Sequence, residues 1–118
     1  MTARRRVLVI DDEQYNRELL VRTLGRLADV VVAADADEAL AACAATGFDL
    51  IVTDQRLGAT VGTDLAPRLR ATLPAARIVV LTGYPDDAAV VDALRTGIVD
   101  DVIGKPFAPL ALRTRLLG

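Results

Sequence analysis

The chain has few of the residues that build disulfide scaffolds or aromatic ligand pockets. Its 118 residues include one cysteine and no histidine or tryptophan, and aromatic residues make up 3%. A single cysteine excludes a disulfide within the chain and fits a reducing compartment. The scarcity of aromatic side chains argues against a pocket for a bulky cofactor. No apolar run is long enough to span a bilayer, so we expect a cytoplasmic protein that makes no membrane contact.

Positive charge is also limited. The formal net charge is -2, whereas a surface that binds the nucleic-acid backbone is usually strongly basic. The one basic cluster, Arg4-Arg5-Arg6, directly precedes an apolar run and is predicted to be a solvated strand entrance. We therefore expect no direct DNA binding.

Hydrophobic residues, 53% of the chain, follow two alternating patterns. Short β-branched runs are separated by longer segments with helical spacing, which predicts a parallel sheet connected by helices. The nearly continuous apolarity of the short runs predicts burial on both faces. A chain of this length fits a single domain over residues 1–118. The predicted strands are Val7 to Ile10, Val30 to Val32, Leu50 to Val52, Ile78 to Leu81, and Val102 to Ile103.

Several residues predict where helices begin and end. A helical pattern of leucines extends to Leu27, and Gly25 inside it indicates that the helix either ends early or packs closely there. Asp35, with Glu38 three positions later, predicts a capping box at the start of the second helix. Gly47 is predicted to close that helix, and Pro85 to lie in the first turn of a later one.

Polar residues follow four of the predicted strands: Asp11 and Asp12, Asp54, Thr82, and Lys105. The carboxyl ends of parallel strands meet at one edge of a sheet, so we expect these side chains to share a crevice. Three carboxylates offer the oxygen ligands that Mg²⁺ prefers. Asp54 can act as the nucleophile in phosphoryl transfer, Lys105 can approach the phosphoryl oxygens, and Thr82 can donate a hydroxyl to them.

In this order and over nearly the whole chain, these residues resemble the receiver domain of bacterial two-component response regulators. The resemblance implies a flavodoxin-like (βα)5 fold, an α/β architecture with a doubly wound five-stranded parallel sheet. It implies a regulatory phosphoacceptor, not an enzyme, in which Asp54 takes a phosphoryl group from a phosphohistidine. It also implies that the Lys105-Pro106 bond is cis. The implied Mg²⁺ ligands are Asp11, Asp12, Asp54 and the backbone carbonyl of Arg56.

Partners follow from the same resemblance. Because the chain has no histidine, it cannot supply the phosphodonor, and we expect a sensor histidine kinase or a histidine phosphotransfer protein to do so in a phosphorelay. The face formed by the last two helices and the last strand is expected to dock an output partner or a second copy. The sequence leaves open whether the domain stands alone or belongs to a larger signal transduction protein.

The chain departs from the family pattern at three places. Gly58 replaces a common proline, which predicts a more mobile loop. Val102 replaces the aromatic residue of the usual switch, and Tyr84 is either its substitute or a loop-packing tyrosine. The segment from Gly97 to Lys105 is one residue longer than is common, with Asp100-Asp101 in the insertion, so the register of the last strand is uncertain.

Three alternatives remain beside the receiver hypothesis. A phosphorylation-independent interaction module, or pseudo-receiver, would keep the site without the switch. An aspartate-nucleophile phosphatase would need a paired Asp-x-Asp after the first strand, and a flavodoxin would need a hydroxyl-rich phosphate loop there.

For a receiver, Arg56 and Tyr84 would flank the phosphate and shield it from water, which predicts slow autodephosphorylation.

Overall fold

The computed structural model describes residues 4–118, so the first three residues of the predicted domain lie outside the description. Five parallel strands form one sheet in the order β2-β1-β3-β6-β7, and each predicted strand is present with one or two extra residues at its ends. This order is that of a doubly wound flavodoxin-like sheet, which confirms the expected fold class. The strands are β1 (Arg5–Ile10), β2 (Ala28–Ala33), β3 (Leu50–Asp54), β6 (Arg77–Thr82) and β7 (Asp101–Gly104).

Four helices connect the strands of the sheet, a fifth follows β7, and a hairpin of two short strands follows β3. The hairpin was not predicted as regular structure, and the positive φ of 70° at Gly58 in its turn explains the glycine there. It consists of β4 (Arg56–Leu57) and β5 (Thr60–Val61). The helices are α1 (Gln14–Leu24), α2 (Ala36–Ala45), α3 (Gly62–Thr72), α4 (Ala88–Arg95) and α5 (Pro109–Leu117).

The sheet is buried on both faces, as its continuous apolarity predicts. Along β1, Val7 and Val9 face one cluster with α1 and α5. Leu8 and Ile10 face the other cluster, which includes buried residues of α2, α3 and α4. Each fully buried aliphatic side chain contributes about 1.5–3 kcal/mol of transfer free energy. The rigid sheet that results fixes the positions of its carboxyl ends.

Two glycines mark the observed helix ends, whereas Leu27 and Pro85 lie outside the helices. α1 ends at Leu24, where Gly25 forms the C-cap, so the early end that Gly25 indicated is confirmed and Leu27, 53% exposed, lies outside the helix. α2 ends with Thr46 as its C-cap, and Gly47 directly follows it, the position expected for a closing glycine, although its φ is not positive. The prediction that Pro85 lies in the first turn of a helix is wrong, because α4 begins after its N-cap Asp87.

One bond of the predicted capping box is present at α2, and the reciprocal bond goes to Ala34 instead of the N-cap residue Asp35. The carboxylate of Asp35 accepts a hydrogen bond from the backbone N–H of Glu38 at 2.8 Å, and that of Glu38 accepts one from the N–H of Ala34 at 2.9 Å. These bonds satisfy two donors at the helix start. Cys43 of the same helix is a free, buried thiol, as expected.

The amino edge of the sheet holds the basic cluster. Arg4 pairs with Asp29, and Arg5 donates to the carbonyl of Leu117 at the end of α5. The guanidinium of Arg6 lies over the ring of Phe48. These arginines are therefore engaged in contacts within the domain, which goes beyond a merely solvated strand entrance. Within residues 4–118, no helix has both the length and the apolarity required to cross a membrane.

Candidate functional site

The sequence-predicted site residues all lie at the carboxyl edge of the sheet. Asp54 is the last residue of β3 and Thr82 the last of β6, whereas Asp11 directly follows β1 and Lys105 directly follows β7. β6 and β7 pair in parallel up to Thr82 and Gly104. Lys105, the residue after β7, therefore lies beside Thr82, and its N–H donates to the carbonyl of Thr82 at 2.8 Å.

Three acidic side chains converge at this edge. Carboxylate oxygens of Asp11, Asp12 and Asp54 lie within 4.8 Å of one another. Asp11 is buried, Asp54 is half-buried and Asp12 is exposed, so the group opens toward solvent on one side. Three hard oxygen donors at this spacing fit a divalent cation such as Mg²⁺, which commonly retains several waters.

The two carboxylate oxygens of Asp54 differ in their partners. Oδ1 accepts hydrogen bonds from Lys105 Nζ at 2.8 Å and from the backbone N–H of Gln55 at 3.0 Å. Within the described residues, Oδ2 accepts none. The side chains of Asp54 and Lys105 are 12% and 31% exposed, so their ion pair is partly shielded from water. Oδ2 is the oxygen left available to a metal or an electrophile.

Electrostatics around Asp11 reflect the crowding of acids. Burial raises the pKa of Asp11 above its usual value, and repulsion from Asp54 and Asp12 raises it further. A hydrogen bond from the N–H of Glu13 and the charge of Lys105 lower the pKa, without cancelling the rise. A bound divalent cation would relieve this repulsion.

The Thr82 hydroxyl is buried at the edge of the same cleft. Its Oγ1 accepts a hydrogen bond from the backbone N–H of Tyr84 at 3.0 Å, which leaves the hydroxyl hydrogen available for donation. Thr82 lines an open cleft of about 680 Å³ together with Asp12, Asp54, Arg56 and Lys105. The cleft is large enough for a phosphoryl group and its water shell.

Arg56 and Tyr84 form one wall of this cleft. Both side chains are exposed, and the guanidinium carbon of Arg56 lies 5.8 Å from the centre of the Tyr84 ring, a cation–π arrangement. Arg56 lies two residues beyond Asp54 and lines the cleft, as the sequence predicts for the residue whose carbonyl is the expected metal ligand. Metal binding through that carbonyl stays a prediction.

The sequence did not indicate two contacts that hold the site. The guanidinium of Arg17 in α1 donates to the carbonyl of Asp11 at 2.9 Å. The buried side chains of Gln55 and Thr63 hydrogen-bond to each other at 2.9 Å. A glutamine directly after a buried strand was the available signal, because a buried amide requires polar partners. Its partner, eight residues away, depends on the path of the intervening hairpin.

The acidic insertion before β7 has defined partners. Asp100 accepts hydrogen bonds from the N–H of Ile78 at 2.8 Å and from Arg70 at 2.6 Å. Asp101 accepts two from Arg115 and one from Arg77. Burial raises the pKa of each acid, but these hydrogen bonds and positive charges outweigh it and hold both pKa values below the usual carboxyl range.

Further predictions concern the Lys105-Pro106 bond, Val102 and Tyr84. The Lys105-Pro106 bond is cis, as the resemblance implied. Val102 is partly buried and packs against the core cluster on the α2–α4 face. Tyr84 is 67% exposed and contacts Arg56, so it is not simply packed into the loop. Its role as a substitute for the missing aromatic residue stays a prediction.

Comparisons with known proteins agree with this geometry. A family model described as "Response regulator receiver domain" matches residues 7–117. Virulence sensor protein BvgS of Bordetella pertussis is 37% identical over 94% of this chain and 10% of its own length. The DNA-binding response regulator MtrA of Mycolicibacterium smegmatis is 37% identical over 98% of this chain and 50% of its own length.

A similar solved structure was found as well. It is a response regulator protein from Burkholderia pseudomallei "with a phosphorylated aspartic acid, calcium ion and citrate". It is 36% identical to this chain, with a TM-score of 0.85, and the match covers 95% of this chain and 66% of that one. The chain thus spans half or less of the length of both relatives named above. Because MtrA is a DNA-binding protein, the prediction of no direct DNA binding is not supported.

Proposed function

This chain belongs to the response regulator receiver domain family, and we propose that Asp54 is the residue through which it accepts a phosphoryl group. One observation carries the proposal: Asp54 ends β3 with Lys105 Nζ 2.8 Å from Oδ1, while Oδ2 accepts no hydrogen bond from residues 4–118. An oriented carboxylate with one free oxygen is the arrangement that a nucleophile requires. We further propose that residues 1–118 form a single receiver domain.

The proposed reaction is transfer from a phosphohistidine. Oδ2 of Asp54 attacks phosphorus, the P–N bond to the donor imidazole breaks, and a P–O bond forms, so that an aspartyl phosphate and a free histidine result. Lys105 stabilises the negative charge on the transferring oxygens, and the Thr82 hydroxyl donates to one of them. Tyr84 N–H holds Thr82 Oγ1 in place for this donation.

The acidic cluster would hold Mg²⁺ through carboxylates of Asp11, Asp12 and Asp54 together with the Arg56 carbonyl. When bound, Mg²⁺ neutralises charge on the phosphoryl oxygens. Asp11 is positioned for this task by two bonds to the protein: its Oδ1 accepts from the N–H of Glu13 at 2.9 Å, and its carbonyl accepts from Arg17. Asp11 is therefore oriented before a cation binds.

As a regulatory phosphoacceptor, the domain would relay the signal to a partner surface. We propose that a sensor histidine kinase or a histidine phosphotransfer protein supplies the phosphoryl group in the cytoplasm. The face of α4, β7 and α5 carries exposed apolar side chains at Val91, Leu94 and Leu110, and we assign to it the contact with an output partner or a second copy. Slow autodephosphorylation would follow from shielding by Arg56 and Tyr84.

Intact-mass measurement with Mg²⁺ and acetyl phosphate tests the acceptor. A gain of roughly 80 Da, one phosphoryl group, is expected for the wild type and absent from Asp54→Asn, which preserves side-chain shape. Asp64→Asn, at an exposed position on α3, is the matched control and should gain the same mass as the wild type. Equal labelling of Asp54→Asn and the wild type would overturn the assignment.

The pseudo-receiver alternative is favoured by one observation, the replacement of the usual aromatic by Val102, which packs against the core. A pseudo-receiver would bind its partner with the same affinity whether or not Asp54 is phosphorylated. Partner binding measured before and after acetyl phosphate treatment separates the two functions, because a switching receiver must change its affinity. Unchanged affinity at complete phosphorylation would support the pseudo-receiver.

A further inference from the structure

Gln55, directly after Asp54, is a buried amide whose two ends have the same partner. Its Oε1 accepts a hydrogen bond from the backbone N–H of Thr63 at 3.0 Å, and its Nε2 donates to Thr63 Oγ1 at 2.9 Å. Gln55 is 8% exposed and Thr63 9%. A side-chain amide held at both ends in a buried site has a fixed orientation. We name this pair of bonds the Gln55–Thr63 clamp.

The backbone of Gln55 connects the clamp to the acceptor. Its N–H lies 3.0 Å from Asp54 Oδ1 and also 3.0 Å from the carbonyl oxygen of Leu81 in β6. Its carbonyl accepts from the N–H of Gly62 at 2.8 Å. One residue is thus bound to the acceptor carboxylate, to the neighbouring strand and to the first turn of α3.

The clamp also closes the hairpin loop that carries Arg56. Between Gln55 and Thr63 the chain passes through β4, the turn at Gly58 and β5. At the base of this loop, the backbone bond from Gly62 and the two bonds of the clamp hold the ends together. Loss of the clamp would leave the bond from Gly62 and the pairing of β4 with β5, and residues 54–56 would sample more orientations.

We propose that Gln55 and Thr63 are positioning residues that set the direction of the Asp54 carboxylate and of the Arg56 main chain. The inference rests on the proposed function, because Asp54 is taken as acceptor and metal ligand. Neither residue touches the phosphoryl group. The clamp acts by restricting the site to the geometry in which cation and nucleophile are correctly placed.

Two variants weaken the clamp from opposite sides: Gln55→Met removes both of its bonds, whereas Thr63→Val removes the bond to Thr63 Oγ1 and leaves the bond from the Thr63 backbone N–H. Gln55→Met keeps the length of the side chain without its amide, and Thr63→Val keeps the shape of threonine without its hydroxyl. Thr63→Ser restores the acceptor oxygen and is the conservative rescue. Leu116→Ala is the control for stability alone, because Leu116 is buried at the end of α5, far from the carboxyl edge. Mg²⁺ affinity is measured by calorimetry, and phosphorylation by acetyl phosphate is followed by intact mass.

We expect the Mg²⁺ dissociation constant to rise about tenfold in Gln55→Met, as is typical when a partner that orients a ligand is lost, and by a smaller factor in Thr63→Val, which keeps one bond of the clamp. The double variant should show little further loss, because both changes break the same unit. Thr63→Ser should bind Mg²⁺ like the wild type, and so should Leu116→Ala despite its lower unfolding midpoint. The phosphorylation rate should follow the Mg²⁺ affinity.

Wild-type Mg²⁺ affinity in both clamp variants would overturn the inference, as would a loss of affinity in Leu116→Ala equal to theirs. Failure of the wild type to take up a phosphoryl group would overturn the proposed function instead. The calorimetric comparison would still decide whether the clamp orients the acidic cluster. Folding of each variant is checked by circular dichroism, and Thr63→Val, the smaller change, decides the outcome if Gln55→Met does not fold.

Discussion

Replacing Gly62 with alanine should strain the backbone directly beneath the acceptor. A Cβ built at Gly62 would lie 2.6 Å from the carbonyl oxygen of Asp54 and 3.3 Å from Oε1 of Gln55. Ordinary van der Waals contact begins at 3.4 Å, so the first pair must separate by 0.8 Å, the difference between 3.4 and 2.6 Å. The atom that it meets belongs to the backbone, which cannot rotate away as a side chain would.

The expected change in the free energy of unfolding is the result of two opposing effects. Overpacking that forces the backbone to shift costs about 1–3 kcal/mol. Removing a glycine lowers the conformational entropy of the unfolded chain and stabilises by about 0.4–1 kcal/mol where the native backbone accepts alanine. Gly47→Ala isolates the second effect, because no atom lies within 4 Å of its added Cβ and its φ is not positive. The two variants should therefore differ by about 2 kcal/mol, with Gly62→Ala the less stable.

Urea unfolding followed by circular dichroism measures this difference. With a slope of about 1–3 kcal/mol per molar urea for a small domain, about 2 kcal/mol separates the two midpoints by roughly 1 M. The same shift should reach the site, because the displaced carbonyl belongs to Asp54, and acetyl phosphate should label Gly62→Ala more slowly than Gly47→Ala. A midpoint for Gly62→Ala equal to or above that of Gly47→Ala would refute the reasoning.

Three other changes have defined outcomes. Because the pKa of Asp101 is held below its usual 3.8, its contribution to stability is present at neutral pH and is lost as the pH falls through the folded-state pKa. Urea unfolding at several pH values should show Asp101→Asn less stable than the wild type at neutral pH. The difference in the free energy of unfolding should become smaller in acid, and a difference that does not change with pH would contradict this. Exchange of Arg56 and Tyr84 for alanine should shorten the half-life of the phosphorylated protein at constant Mg²⁺, and an unchanged half-life would reject shielding. Asp35→Ala should cost about 1 kcal/mol through loss of the α2 cap, whereas Asp37→Ala, without a capping bond, should cost little; equal losses would argue against the cap.

Strands were easier to predict than helix ends in this chain. A buried parallel strand is a continuous apolar run, and its signal depends on burial alone, so the core of each strand was predicted correctly. The end of α1 depends on hydrogen bonding at its last turn as well as on burial. The pattern of leucines favours continuation to Leu27, but the N–H of Gly25 caps the helix by bonding to the carbonyl of Val21 at 2.8 Å. Short-range geometry of this kind is invisible to periodicity.

The residues at the strand ends could be predicted because topology alone brings them together. Asp54 and Lys105 are 51 positions apart, yet each follows a strand of one parallel sheet, and that is sufficient to place them at one edge. No comparable rule of topology predicts the Gln55–Thr63 clamp. It depends on a hairpin whose turn is set by the positive φ of Gly58, and the sequence indicated only a loop there. The sequence therefore predicted the residues of the proposed site and missed the Gln55–Thr63 clamp beside them.

The extra length before β7 bears on the site through the register of that strand. Slipping β7 by one residue would exchange its two faces and move Lys105 away from Thr82. Asp100 opposes such a slip, because its N–H donates to the carbonyl of Ile78 and its carboxylate accepts from the N–H of the same residue, each at 2.8 Å. Asp101, the first residue of β7, pairs with Val79 in the ladder and forms ion pairs with Arg77 of β6 and Arg115 of α5. The insertion is thus held at the amino edge of the sheet where β7 begins, and the register that it fixes brings the only lysine of the chain to the proposed acceptor Asp54.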